Sequence, residues 1–156
     1  MPEARSGLGF DVHRFSEQRP LWLAGVRFDG EDGLLGHSDG DVVCHAIADA
    51  LLGAAALGDL GQHFPDTAVD TEGIEGRALL RDVVAKVALA GYLPTSVDAT
   101  VICDRPAIDP RREEMRDELA ACLRLGVDRV SVKATRPEGL GLAGDGVGCL
   151  AIAVIA

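Results

Sequence analysis

Alternating and clustered apolar positions divide the chain into strands and helices. Leu8–His13 reads as a short strand, and Pro20–Phe28 as a strand or hairpin turning near Ala24-Gly25. Gly30–Gly40, rich in Gly and Asp, reads as a loop that ends at Ser38-Asp39, residues favoured at helix N-caps. From Asp41 to about Leu57 the run VVCHAIADALLGAAAL predicts a helix of small apolar residues, largely buried. Gly58–Asp70 reads as a second polar loop. Ile74–Gly91 predicts a helix with Leu79, Leu80, Val83, Val84, Val87 and Leu89 on its apolar side and Gly91 as its stop. Ser96–Cys103 alternates and is β-branched, which predicts a strand. Asp109-Pro110 starts a third helix that closes at Gly126. Val130–Ala134 and Cys149–Ile155 predict the last strands, on either side of the glycine-rich Glu138–Gly148. The order β-β-α-α-β-α-β-β implies an α/β or α+β fold with one mixed sheet packed on helices, but it leaves the strand order open.

At 156 residues, the chain is expected to form a single domain over 1–156. Aromatic residues are 4% of the chain and hydrophobic residues 47%, so the core must be built from Ala, Val, Leu and Ile. The balance of 15 basic and 25 acidic side chains gives a net charge of −10. That charge opposes adsorption to nucleic acid or to an anionic membrane, both of which need a basic stripe. An anionic ligand would have to be held by metal ions and backbone amides. Cys44, Cys103, Cys122 and Cys149 show no CxxC spacing, which points to a reducing, cytoplasmic setting. No apolar run is long enough to span a membrane, and MPEARSGLGFDVH has no apolar signal-peptide core.

Candidate chemistry begins at Asp11-Val12-His13. Positions i and i+2 of a strand face the same side, roughly 6.6–6.8 Å apart, so both side chains can converge on one ion. A carboxylate with an imidazole suits zinc or a similar metal, although a solvated strand face is the commoner explanation of an isolated pair. His45 stands in an otherwise apolar helix, where it is either a satisfied core histidine or a ligand. Asp41 and Asp49 lie one turn to either side of it and could accept from its second ring nitrogen. One Asp and two His would leave a tetrahedral position open, which is the catalytic pattern. His37 and Ser38 precede a helix N-terminus, where anions are favoured; the alternative is a plain cap and an exposed loop histidine. Asp59-Leu60-Gly61 and Phe64-Pro65-Asp66-Thr67 are either ligand-positioning loops or turns. In Lys133-Ala-Thr-Arg-Pro-Glu138, Glu138 could hold a hard cation and Arg136 could pair with phosphate.

Taken in order, GFDVHRF, GLLGHSDGDVVCHAIADALLGAAALGDLGQHFPDT, DATVICDRP, VSVKAT and LGLAG resemble the 2-C-methyl-D-erythritol 2,4-cyclodiphosphate synthase family of the non-mevalonate isoprenoid pathway, from about Arg5 to Ile155. The resemblance implies a homotrimer whose sheets face a central axis, with active sites between adjacent subunits. It implies Zn²⁺ on Asp11, His13 and His45, and a second divalent ion, Mg²⁺ or Mn²⁺, on Glu138. It places His37 and Ser38 at the substrate phosphate, and makes His37, Arg136 and Glu138 the catalytic set. Asp59, Leu60, Gly61, Phe64, Pro65, Asp66, Thr67 and Ala68 match the methylerythritol-binding segments. Cys103, Asp104, Arg105, Pro106, Ala107, Ile108, Asp109, Ala134 and Thr135 match a cytidine pocket. The implied reaction is attack of a substrate's own phosphate on its cytidine diphosphate, releasing CMP and closing a cyclic diphosphate. The nucleophile is already an anion, so no general base is required.

The chain departs from that family at several positions. Arg136 replaces a phosphate-contacting Thr, Ala107 a Lys, and Leu142 a Phe that lines the substrate site. Asp145 and Val147 replace the Arg and Glu of a G-R-x-E-G segment, and three copies of Asp145 on an axis are expected to repel an isoprenoid diphosphate. Two rival readings follow: a catalytically weak cytidine-nucleotide-binding protein of the same fold, and a zinc hydrolase using the open coordination position.

Overall fold

Backbone pairing along the first strand organises the molecule, which is described here from a computed structural model covering residues 3–141 and 144–156. The elements are β1 (Arg5–Ser16), β2 (Leu21–Leu23), β3 (Val26–Phe28), β4 (Gly33–Leu34), α1 (Val42–Ala54), α2 (Leu60–His63), α3 (Gly76–Leu89), β5 (Pro94–Ile102), α4 (Arg112–Leu123), β6 (Val130–Thr135) and β7 (Gly146–Ile155). One five-stranded mixed sheet has the order β4-β1-β7-β5-β6, and β2 and β3 form a separate hairpin. Among the described residues, only β5 and β6 run parallel; α4 makes the crossover between them, as a parallel connection requires. The α/β fold with one mixed sheet packed on helices is therefore as the sequence implies. Among the described residues, no helix is long and apolar enough to cross a membrane.

The two faces of β1 are chemically different. Leu8, Phe10 and Val12 lie on the open face, and Gly7, Gly9, Asp11 and His13 alternate onto the face that meets α1. α1 is buried almost all round, packed against β1, β7 and α3. A Cβ on Gly7 would lie 2.0 Å from the Ala50 carbonyl oxygen, and one on Gly9 would lie 1.9 Å from that of Ala46. Helix and strand therefore touch backbone to backbone, which only glycine on the strand and alanine on the helix permit.

Asp41 anchors the start of α1. Its carboxylate accepts from Val43 N and Cys44 N as the N-cap, and also from Ala24 N at 2.8 Å and Gly25 N at 2.7 Å. Ala24 (φ 54°) and Gly25 (φ 75°) form the left-handed turn of the β2–β3 hairpin. One buried side chain thus caps a helix and fixes a hairpin to it. The cap is Asp41 rather than Ser38 or Asp39, because Asp39 is spent on Gly76 N and Asp41 N.

Other boundaries shift for tertiary reasons. β1 reaches Arg5–Ser16, longer than its apolar alternation, because β7 pairs with it from Arg5↔Ile155 to Arg14↔Gly146. β4 forms inside the expected loop by pairing Phe15↔Leu34 and Ser16↔Gly33. The second polar stretch contains α2, closed by a reciprocal capping box between Asp59 and Gln62. The third helix opens as a 3₁₀ turn over Asp109–Arg111, and its C-cap is Arg124 in the left-handed region at φ 58°. Leu89, expected on the apolar side of α3, is 90% exposed at the helix end.

Gly9→Ala is expected to destabilise the protein by about 2–3 kcal/mol or more through overpacking against α1. Gly53→Ala, on the open side of α1 where a Cβ meets nothing within 4 Å, is expected to stabilise by roughly 0.5–1 kcal/mol. Urea denaturation midpoints of the two variants check the pair.

Candidate functional site

Because Gly9 brings Ala46 against the strand, Asp11, two residues beyond Gly9, meets His45, one residue before Ala46. Asp11 Oδ2 lies 3.0 Å from His13 Nε2 and 3.0 Å from His45 Nδ1. One ligand atom from each of the three residues lies within 4.8 Å of the others, and among the described residues this is the one such cluster of His, Cys, Asp and Glu. The remaining ring nitrogens are occupied. His13 Nδ1 donates to Leu35 O at 2.5 Å, and His45 Nε2 pairs with Ser38 Oγ at 2.9 Å. His13 is thereby left with Nε2, and His45 with Nδ1, directed at the Asp11 carboxylate. A carboxylate and two oriented imidazoles fit a divalent transition-metal ion with a position to spare. Ser38, not Asp41 or Asp49, is the side chain that orients His45: Asp41 caps α1, and Asp49 accepts from Leu60 N at 3.1 Å.

The cluster forms one wall of a cavity of about 240 Å³. His37, Ser38, Leu60, Gly61, Phe64 and Asp66, all singled out in the sequence, line it too. Thr71, Ile74 and Leu79 complete the lining without any local motif to mark them. His37 Nε2 donates to Ala68 O at 2.9 Å, so Ala68 acts through its carbonyl. Asp59 turns to its capping role on α2, and Pro65 and Thr67 are exposed beside the cavity.

A second cavity, of about 300 Å³, opens between the ends of β5 and β6. Its walls are Cys103, Asp104, Pro106, Ala107, Ile108, Asp109, Ala134, Thr135 and Arg136. Arg105 faces elsewhere, pairing with Glu31 and Asp32 and stacking at 4.0 Å on the Phe15 ring. The two cavities share no residue. Glu138 belongs to neither and is exposed in a turn at φ 51°, and Leu142 lies outside the described residues. Asp145 is exposed just before β7, its carbonyl accepting from Phe15 N of β1.

Charge in the first cavity follows from these contacts. Burial opposes ionisation of Asp11, but the hydrogen bonds and charge of His13 and His45 outweigh it and hold its carboxyl well below the usual carboxylate range. The bond to Asp11 pushes the His13 imidazole above its ordinary value, against desolvation and the nearby Arg19 charge. In the second cavity, burial with Asp104 and Glu31 pushes the Cys103 thiol up to about 11, so it is neutral and unreactive near pH 7.

Comparison with known proteins places this geometry. The sequence matches the YgbB family over residues 4–156. The chain belongs to the YgbB family. It is 56% identical over 140 residues to a 2-C-methyl-D-erythritol 2,4-cyclodiphosphate synthase from Salinibacter ruber, covering 90% of this chain and 89% of that one. Among solved structures, the bifunctional IspDF of Campylobacter jejuni superposes with a TM-score of 0.92 at 39% identity, over 98% of this chain and 42% of that longer one. A 2C-methyl-D-erythritol-2,4-cyclodiphosphate synthase in its CDP-bound form superposes with a TM-score of 0.89 at 36% identity, over 97% of this chain and all of that one. Family membership thus coincides with the presence of the Asp11–His13–His45 cluster.

Metal and proton compete for the same imidazole nitrogens. Because the folded value of His13 is raised, its contribution to the stability of the metal-free protein is complete below the ordinary value of 6.5 and is lost as pH rises through the raised value. Metal uptake has the opposite sign, strengthening over that rise and releasing a proton. Titration of the metal-free protein with Zn²⁺ against a chromophoric chelator between pH 5.5 and 8 checks this. His45→Ala is expected to lose most of the bound metal at every pH.

Proposed function

We propose that the chain converts 4-diphosphocytidyl-2-C-methyl-D-erythritol 2-phosphate to 2-C-methyl-D-erythritol 2,4-cyclodiphosphate with release of CMP. The observation that carries this reading is the Asp11–His13–His45 cluster in one cavity with His37 and Ser38, in a chain 56% identical to a protein of that activity. An oxygen of the substrate's 2-phosphate attacks the β-phosphorus. The bond from that phosphorus to the oxygen bridging to the α-phosphate breaks, and CMP leaves with the bonding pair. Charge balances without a proton transfer, so the protein's task is positioning and charge neutralisation.

Asp11, His13 and His45 would hold a Zn²⁺ ion, and Glu138 would hold Mg²⁺ or Mn²⁺; when bound, these would supply Lewis-acid polarisation of phosphoryl oxygens and neutralise diphosphate charge. His37, its ring fixed by Nε2 donating to Ala68 O, walls the end of the cavity that takes the phosphoryl group. Ser38 meets the same group while orienting His45. Leu60, Gly61, Phe64 and Asp66 take the methylerythritol, with Asp59, Pro65, Thr67 and Ala68 shaping that loop. Cys103, Asp104, Pro106, Ala107, Ile108, Asp109, Ala134 and Thr135 take the cytidine end, and Arg136 puts a cation at its mouth.

A homotrimer unites the two cavities, the cytidine cavity of one subunit completing the metal cavity of the next. The open sheet face supports it. Leu8, Phe10, Val12, Leu150 and Ile152 are each 41–62% exposed on one surface, a patch that water does not favour. The four free cysteines, all buried, support a reducing, cytoplasmic setting, and residues 1–156 act as one cyclodiphosphate-synthase-like domain.

The purified chain, given the substrate and Mn²⁺, is expected to release CMP in equal amount to a cyclic diphosphate seen by ³¹P NMR. Cytidine nucleotide binding without CMP release would favour a binding protein, and a linear hydrolysed product a hydrolase. Glu138→Gln is expected to lower turnover on the order of 10²-fold while cytidine nucleotide affinity is kept. Light scattering is expected to give three times the mass of the chain.

A further inference from the structure

Arg19 sits in the turn between β1 and β2, and no sequence motif marks it. Its Nη1 donates to Gly36 O at 2.7 Å and its Nη2 donates to Ser38 O. Its own carbonyl accepts from Gly33 N at 2.8 Å, which fixes the turn to the start of the same loop. The planar guanidinium therefore spans the two carbonyls that flank His37, a double grip that a single ammonium does not reproduce.

This grip orients the amides of the loop. In a trans peptide, C=O and N–H point in opposite directions. With Gly36 O held by Arg19, the His37 N–H is turned away from the guanidinium. With His37 O accepting from Gly73 N at 2.8 Å, the Ser38 N–H is turned away from residue 73. Among the described residues, neither N–H donates to a protein acceptor. Both residues wall the metal cavity. The loop thus offers unspent donors in a protein with a net charge of −10, where anion binding must rely on such groups.

We infer that Arg19 is a positioning residue, which by holding the Gly36 and Ser38 carbonyls keeps the His37–Ser38 segment shaped to receive a phosphoryl group. The inference rests on the reading above that this segment meets the substrate's phosphate. Arg19 makes no hydrogen bond to the Asp11, His13 or His45 side chains and does not line the cytidine cavity, so it reaches the metal site only indirectly, through its charge near His13 and its hold on Ser38, an effect that zinc content reads.

The test uses the full chain loaded with Zn²⁺, as wild type, Arg19→Ala and Arg19→Lys. Zinc content, calorimetric affinity for inorganic pyrophosphate, and kcat and KM for CMP release are measured on each. Arg19→Ala is expected to keep its zinc, to bind pyrophosphate roughly 10-fold or more weakly, and to lose on the order of 10²-fold in kcat with little change in KM. Arg19→Lys keeps the charge but reaches one carbonyl at a time, so it is expected to recover only part of each loss. Complete recovery by lysine would mean that charge alone matters and would overturn the inference. So would a wild type that fails to bind pyrophosphate, an alanine variant equal to wild type, or a loss of zinc in proportion to the loss of affinity. If pyrophosphate affinity depends on Arg19 in this graded way but the wild type releases no CMP, the synthase reading fails and the role of Arg19 stands.

Discussion

The close approach of α1 to β1 governs the rest of the molecule. Gly7 and Gly9 leave no side chain between the strand and the Ala46 and Ala50 carbonyls, so the two backbones come into contact. At that separation the Asp11 carboxylate, two residues beyond Gly9, reaches the His45 ring, one residue before Ala46. A single methyl group at Gly9 would push apart the elements that carry the cluster. The metal centre and the core are thus built from the same contact, and the glycines of β1 serve the site without touching it.

Around that contact, carboxylates fix the loops by accepting from backbone amides. Asp41 gathers four amide hydrogens, tying the hairpin turn to the helix start. Asp39 ties the same loop to the first residue of α3 through Gly76 N. Arg19 closes the loop from the opposite side, through its carbonyls. The segment bearing His37 and Ser38 is therefore held from both directions, as a site that must be ordered before its ligand arrives requires.

Under the proposed function, association of copies through the sheet would account for both its open face and the separation of the two cavities. The two cavities, of about 300 and 240 Å³, share no lining residue. The apolar side chains of β1 and β7 that face away from α1 offer the surface through which a second copy would bring the other half. Association through this sheet would bury that surface and complete the site together.

The sequence by itself determined the element types and the ligand set. Small apolar runs dictated α1, β-branched alternation dictated β5, and the i, i+2 spacing of Asp11 and His13 with a histidine in an apolar helix indicated the metal ligands. Those signals are local, carried by period and by residue chemistry. The sequence reading misassigned the cap of α1, the partner of His45 and the exposure of Leu89, found no sign of β4 or of Arg19, and passed over α2 although the Asp59-x-x-Gln62 spacing is a local signal for its start. Apart from α2, each of these was decided by tertiary structure. β4 exists through its pairing with β1, and Asp41 becomes the cap because the hairpin supplies two further amides to it. Ser38 takes the place expected of Asp41 or Asp49 because the loop folds back to His45. Strand order, the division into two cavities and the grip of Arg19 depend on residues far apart in the chain, and periodicity carries no record of which distant backbone groups will meet.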